Sequence, residues 1–370
     1  MNFLVISDAP ILYKKGIYEG YAPYIKEMNI WLDSVNQVTF VCPTSYKKAL
    51  LTAPFDRQDI NIKSLRRLEF NSFFVALISI LILPYQAIVL WSAMRKADHI
   101  HLRAPGNLCL LACVVQVLFP NKKKTAKYAG NWDPLSKQPL AYRLQQRILS
   151  STTLTKNIQV LVYGEWENST SNITPFFTAS YYLEEIDSFK KRSFNKPLRA
   201  IFAGTMGSNK RPFETVQLIH KLRKAGLDIV LEMFGDGPQM EDIKWYRKEN
   251  GLLDYVILRG NQPANAVKEA YKRSDLVILL SKSEGWPKVI AEGMFWGAIP
   301  IVTQVSCVPW MLDNGSRGIL VKNPDKINTT QLIKQLEDSA SLHKMSNAAT
   351  QWSRQYTMDT FTAQIKELLQ

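Results

Sequence analysis

The chain is short of the residues that staple, ligate or shuttle protons. Its 370 residues hold four cysteines and four histidines. Cys42, Cys109, Cys113 and Cys307 lie in apolar runs without paired metal-type spacing, which fits buried free thiols in a reducing compartment. No Asp-x-Asp pair is present. Asn-x-Ser/Thr triplets at Asn168 and Asn172 matter only in a secreted protein. The first eight residues, Met1 to Asp8, have no basic n-region and read as a buried strand, not a signal peptide. Helix-turn-helix, zinc-finger and RNP-type motifs and internal repeats are also missing, so nucleic acid is not an expected partner.

What is present is hydrophobic bulk and positive charge. Hydrophobic residues make up 46% of the chain, enough for a large core divided between two domains. The formal charge is +14, of which residues 1–195 carry +9 and residues 196–370 carry +5. A basic first half suits an anionic partner: nucleic acid, an acidic membrane or a phosphorylated substrate. The basic residues are scattered in twos and threes, which again disfavours nucleic acid.

The second half has the plainer rhythm. Apolar strands at 198–203, 228–234, 255–259, 275–280 and 298–302 alternate with helical periods near 212–225, 238–250, 264–273 and 287–296. Alternation of this kind predicts an open parallel sheet covered by helices on both faces, with ligands at the carboxyl ends of the strands. The first half repeats the theme less regularly, with strands at 2–7, 36–42, 98–102 and 124–128 and helices near 72–95 and 106–119. Two consecutive doubly wound, Rossmann-like α/β domains follow, spanning 1–190 and 191–354. The join lies within the polar stretch 165–197, and an amphipathic helix closes the chain at 355–370.

Residues 73–91 are almost wholly apolar, broken by Ser79, Pro84 and Gln86. Three readings stand: a packed helix of the first domain, a helix sunk in a membrane interface beside Arg66, Arg67, Arg95 and Lys96, or a true span. Pro84 is expected to break or kink the helix.

Chemistry concentrates in Ser281-Lys282-Ser283-Glu284-Gly285-Trp286-Pro287-Lys288 and the helix after it. A strand ends at Ser281, a polar loop follows, Pro287 suits a first helical turn, and Gly297 suits its end. Glu284 therefore sits on a loop at a strand's carboxyl end and Glu292 two turns into a helix. The eight-residue interval is weak by itself, because Glu19/Glu27 and Glu241/Glu249 share it. The setting of strand, loop Glu-Gly, Pro, helix Glu, Gly and strand is what is specific.

In that setting the stretch resembles the Glu-x7-Glu motif of retaining GT-B glycosyltransferases, the group 1 (family 4) class. The resemblance covers about 190–320 and implies two Rossmann-like domains facing across a cleft, with a nucleotide-sugar donor as co-substrate and no further cofactor. It implies that Glu284 takes donor-sugar hydroxyls, that Glu292 takes ribose hydroxyls, and that amides of Trp286, Lys288, Val289 and Ile290 receive the diphosphate. Ser283, Gly285 and Pro287 complete the loop.

Upstream, Gly204-Thr205-Met206-Gly207-Ser208-Asn209-Lys210-Arg211 resembles the family's phosphate clamp. Lys210 matches its Lys, while Thr205 stands where an Arg is usual, leaving Arg211 or backbone amides to compensate. Gly235 of Phe234-Gly235-Asp236-Gly237-Pro238 and Arg259-Gly260 resemble the steps where the backbone passes the donor. Asp275 reads as a residue that orients its strand.

On the acceptor side, Gly16 and Gly20 are either sites of close approach or flexible-loop glycines. His101, Arg103, Asn131 and Asp133 are candidates on strand ends, and Lys127 is a weaker one. A His that the family often places here is missing. The implied activity is retaining, metal-independent transfer of a sugar to a saccharide or lipid-linked acceptor in cell-surface polysaccharide synthesis. Its place would be the cytoplasm, with peripheral contact on the inner face of the membrane. A silent nucleotide-sugar-binding subunit and a GT-B-shaped sugar-nucleotide isomerase are the alternatives.

Overall fold

The structure, a computed structural model, describes every residue except 47–50 and 189–191. The boundary expected at 190/191 therefore falls outside the described residues. The chain forms two compact units, one of Met1–Phe176 with Thr362–Gln370 and one of Phe177–Phe361.

Unit 1 holds strands β1 (Asn2–Ser7), β2 (Ile11–Lys14), β3 (Ile17–Tyr21), β4 (Gln37–Cys42), β5 (Thr52–Pro54), β6 (Ile60–Ser64), β7 (His99–Ala104), β8 (Lys123–Tyr128), β9 (Ile158–Tyr163) and β10 (Ile173–Phe176). Its helices are α1 (Ala22–Asp33), α2 (Phe73–Lys96), α3 (Asn107–Val115) and α4 (Leu140–Ser150). Seven strands pair in parallel in the order β10-β9-β8-β7-β1-β4-β6. The central strand β1 is buried from Phe3 to Ser7, as expected of a strand covered on both faces, and this is why it reads as an unbroken apolar run.

Unit 2 holds β11 (Leu198–Ala203), β12 (Ile229–Phe234), β13 (Val256–Gly260), β14 (Leu276–Leu279), β15 (Ile299–Thr303) and β16 (Ile319–Val321). They form a parallel sheet in the order β13-β12-β11-β14-β15-β16. Its helices are α5 (Pro212–Lys224), α6 (Met240–Glu249), α7 (Ala264–Arg273), α8 (Lys288–Phe295), α9 (Val308–Met311), α10 (Thr329–Glu337) and α11 (Ser339–Ser353). A last helix, α12 (Met358–Leu369), begins in this unit. Asp275 does orient the start of β14: its carboxylate accepts from the Arg199 N–H at 2.9 Å while its own N–H donates to Arg199 O at 2.7 Å.

Three features depart from the sequence reading. The stretch holding Gly16 and Gly20 is not a loose loop, although Gly16 itself is exposed with open space around it. β2 and β3 form an antiparallel hairpin whose two turn residues, Lys15 and Gly16, both have positive φ (51° and 84°), and β5 joins its far side. Gly20 lies within β3, close against Ile25. Pro84 does not break α2, which runs through it. Only the second half of α2 packs into the core, through Leu90, Ala93 and Met94, while its first half keeps Ser79 as its one buried residue.

One polar cluster sits inside unit 1. Glu27, on the buried face of α1 with Tyr24, Met28 and Trp31, receives Arg103 Nη1 from β7 at 2.5 Å and lies 3.1 Å from Lys127 Nζ of β8. Lys127 is fully buried, with its ammonium over the rings of Phe176 and Tyr163. Burial alone would raise the Glu27 pKa, but the two cations outweigh it and hold it at about 2. Because folding lowers this pKa from 4.5, its contribution to stability is complete above about pH 4.5 and is lost as pH falls through about 2. Glu27→Gln leaves two buried cations without their counter-charge and is expected to cost about 3–5 kcal/mol. Urea midpoints at pH 7 check this, with the double variant Glu27→Gln/Lys127→Met expected to recover part of the loss.

Candidate active site

In unit 2 the strand order runs outward from β11 in both directions, so the loops after β11 and after its neighbour β14 leave a topological switch point side by side. Side chains far apart in sequence meet there. The loop 204–211 and the loop 280–287 are laced together: Lys282 N–H donates to Asn209 O at 2.8 Å and Asn209 Nδ2 to Ser283 O at 3.0 Å. The loop after β12 joins them, with Gly204 N–H on Phe234 O, Met206 N–H on Asp236 O and Gly235 N–H on Gly260 O. Gly235 has φ +126°, and a Cβ there would lie 1.9 Å from Gly204 O, so only glycine lets the two loops touch.

Lys210 crosses this seam. Its ammonium donates to both Glu284 oxygens, at 2.6 and 2.8 Å, and Glu284 is 8% exposed. Glu292 lies about one turn into α8 and accepts from Ser180 Oγ at 2.6 Å. Burial raises the phenol pKa values of Tyr181 and Tyr271, and the Glu292 charge adds to the rise. Pro287 is the cap residue of α8, not its first turn, and its ring offers no side-chain cap hydrogen bond. The Cys307 thiol donates to Gly285 O at 3.1 Å from behind the loop, with its pKa pushed up to about 12 by burial.

Unit 1 has the same kind of switch point, between β1 and β7, and handles it differently. There Asp8 accepts from the Leu108 and Cys109 N–H groups at 3.1 and 3.0 Å, filling the N-terminus of α3 with its own carboxylate. Burial raises the Asp8 pKa despite those bonds. The positive end of α3 is thus satisfied from within, whereas the cap residue of α8 is a proline, and the loop before it carries Glu284 with the Lys210 ammonium.

The other candidates of unit 2 divide. Thr205 and Ser283 are exposed at the seam, with Gly285, Lys288 and Val289 half-buried beside them. The Trp286 side chain turns inward, stacked on Trp352 with Trp310 and Tyr356 around it, and the residue is 6% exposed. Arg211, left-handed at φ 53°, directs its guanidinium to Glu214 and Asp325. Arg259 pairs with Glu232 at 2.5 Å. Gly260, at φ +65°, is the last residue of β13.

Unit 1 draws its candidates into structural work. His101 is fully buried against Trp31 and Phe3, with Nδ1 2.8 Å from Thr125 Oγ1. Burial holds its pKa well below the ordinary range, so it is neutral and does not face solvent. Arg103 is committed to Glu27. Asn131 and Asp133 shape a turn, with Asn131 Oδ1 accepting from Asp133 N–H at 2.9 Å and Asp133 Oδ1 from Leu135 N–H at 2.8 Å.

Asp8, Glu27, Asn209 and Ser180 were missed. Glu27 had a signal, a lone carboxylate on the apolar face of a helix whose neighbours are Tyr24, Met28 and Trp31. Asn209 and Ser180 had none, because both act through long-range hydrogen bonds.

Residues 184–352 match the family of glycosyl transferases group 1. Over 135 residues the chain is 31% identical to an N-acetyl-alpha-D-glucosaminyl L-malate synthase of Bacillus anthracis, covering 36% of this chain and 35% of that protein. Over 141 residues it is 30% identical to an exopolysaccharide phosphotransferase of Streptomyces coelicolor, covering 37% of this chain and 15% of the relative. The matched part is thus about a third or less of each relative's length. A solved lipopolysaccharide outer core galactosyltransferase aligns over 100% of this chain and 99% of its own, at TM-score 0.67 and 13% identity. Anabaena HepE, solved with UDP and glucose, aligns over 99% and 98% at TM-score 0.65 and 12% identity. The fold is GT-B, with two Rossmann-like units.

Gly235→Ala forces a Cβ into Gly204 O and strains a positive φ, and is expected to destabilise by about 2–4 kcal/mol. A thermal melt near that of the parent would show that the two loops do not touch as described.

Proposed function

We propose that this chain, whose residues 184–352 form a group 1 glycosyl transferase domain, is a retaining enzyme. On this reading it moves a sugar from a nucleotide-diphospho-sugar to a saccharide or lipid-linked acceptor in cell-surface polysaccharide synthesis. The observation that carries this reading is Lys210 on both oxygens of Glu284 at the β11/β14 switch point, on the loop that leads into α8.

The chemistry follows from charge. Departure of a nucleoside diphosphate builds negative charge on its outer phosphate. On this reading the Lys210 ammonium and the N-terminus of α8 stabilise that charge as it develops. Glu284 holds the donor sugar by its hydroxyls, and Glu292 the ribose. The acceptor hydroxyl attacks on the face the diphosphate leaves, and a phosphate oxygen of the leaving group takes its proton. Lys210 thus stands in for a divalent cation, and transfer needs none. The enzyme would work in the cytoplasm, on the inner face of the membrane if the acceptor is lipid-linked.

One feature favours a second reading, a nucleotide-sugar binder without turnover. Thr205 stands where a second clamp cation is usual, and Arg211 is occupied by Glu214 and Asp325. Donor binding in a thermal-shift panel of nucleotide-sugars, with neither transfer nor donor hydrolysis, would favour it.

Lys210→Ala and Glu284→Ala are each expected to lower transfer by on the order of 100-fold or more with the fold intact by circular dichroism. Near-parental turnover in either removes the site assignment. Glu292→Ala is expected to act chiefly on donor KM. Excess EDTA is expected to leave the rate unchanged, and a rate lost to EDTA and restored by a divalent cation would refute the metal-free mechanism.

A further inference from the structure

The helix α2 has its polarity inside out. Its inward face carries two polar residues along with Leu90, Ala93 and Met94: Ser79 Oγ accepts from Glu69 N–H at 3.0 Å and donates to Glu69 O at 2.9 Å, and Gln86 Nε2 donates to Arg66 O at 2.8 Å. Its outward face is apolar. Phe73, Phe74, Leu77, Ile78, Leu81, Tyr85, Ile88 and Trp91 recur at helical spacing and are all exposed, Phe73 and Phe74 at 76% and Leu81 at 70%. The stripe runs about 27 Å along the helix. A water-facing helix has the opposite arrangement, and a patch this long is far beyond what scattered surface residues explain.

We infer that α2 lies flat in the surface of an anionic lipid bilayer, its outer stripe sunk among the acyl chains and unit 1 held against the leaflet. The inward anchors decide between lying and spanning. Ser79, Gln86, Leu90, Ala93 and Met94 tie the helix to unit 1 from its first turns to its last, so it cannot leave the protein to cross a membrane.

The ends select the lipid. Arg95 lies over the Trp91 ring, 5.5 Å from its centroid, a cation and an amphipathic ring side by side at the helix end. Lys96 follows, and the Lys122 ammonium bonds Arg95 O and Ala97 O, with Arg66 exposed beside the middle of the helix. The helix itself contains no acidic residue. Apolar stripe and basic flanks together fit an acidic leaflet. The inference deepens the membrane side of the proposed function and does not depend on its chemistry.

The test is cosedimentation of the full chain with vesicles of phosphatidylcholine alone and with about 30% phosphatidylglycerol. Binding is expected only to the anionic vesicles, falling with salt. Brominated lipids are expected to quench Trp91, as the Trp91→Phe difference reads. Leu77→Asp/Leu81→Asp and Arg95→Glu/Lys96→Glu are each expected to weaken binding by at least about tenfold, with melting temperature and nucleotide-sugar thermal shifts unchanged. A chain that stays in the supernatant with both vesicles overturns the inference. So does a dimer in vesicle-free buffer that Leu81→Asp dissolves, which would make a second copy the occupant. Resistance to alkaline carbonate extraction would overturn the flat placement.

Discussion

The site depends on one backbone pairing, that of β11 with β14. Chain order puts more than seventy residues between Lys210 and Glu284, and the parallel register of Ala200 with Leu276 removes that distance. Because the two strands sit where the sheet changes direction, no crossover helix covers the loops that leave them. Asn209 then ties one loop to the other through backbone groups, and the Lys210 side chain needs only a short reach to both Glu284 oxygens. The ion pair is a consequence of that lacing as much as its cause, since it lies at the seam with Lys210 partly exposed.

The same topology used twice yields two different electrostatic results. In unit 1 the switch point is closed by the chain's own carboxylate, with Asp8 on α3, and its surplus cations are turned inward onto Glu27. In unit 2 the helix cap is a proline, and a cation is held on Glu284 in the loop before it. The difference lies in one side chain at each strand end, which is why fold likeness at 12–13% identity speaks for architecture and residues speak for chemistry. Unit 1 also shows that strand-end position is a poor guide to function. His101 and Arg103 sit on a strand of the right kind, and both are consumed by packing.

Periodicity and composition leave α2 undecided among three readings for a related reason. A run apolar on every side looks alike whether it faces a core, a bilayer or a partner. What separates the cases is which few residues are polar and where they point, and Ser79 and Gln86 point inward. The hairpin of β2 and β3 was illegible in a different way. Its turn is Lys-Gly, not the common Asn-Gly, and short strands beside a glycine read as loop. β9 was missed although Ile158 to Tyr163 is apolar, because nothing nearby in sequence says that it pairs with β8.

The sequence alone determined the alternation of strand and helix in the second half, the doubly wound class, and the motif at 281–292 with Lys210 upstream. These are properties of local period and turn chemistry, which each segment carries with it. The tertiary structure decided which candidates meet. It joined Lys210 to Glu284, sent Arg211 to Asp325 and the Trp286 ring into an aromatic cluster, and sealed His101 away. Those outcomes turn on strand order and on competition for partners between residues distant in the chain, and no local pattern encodes either.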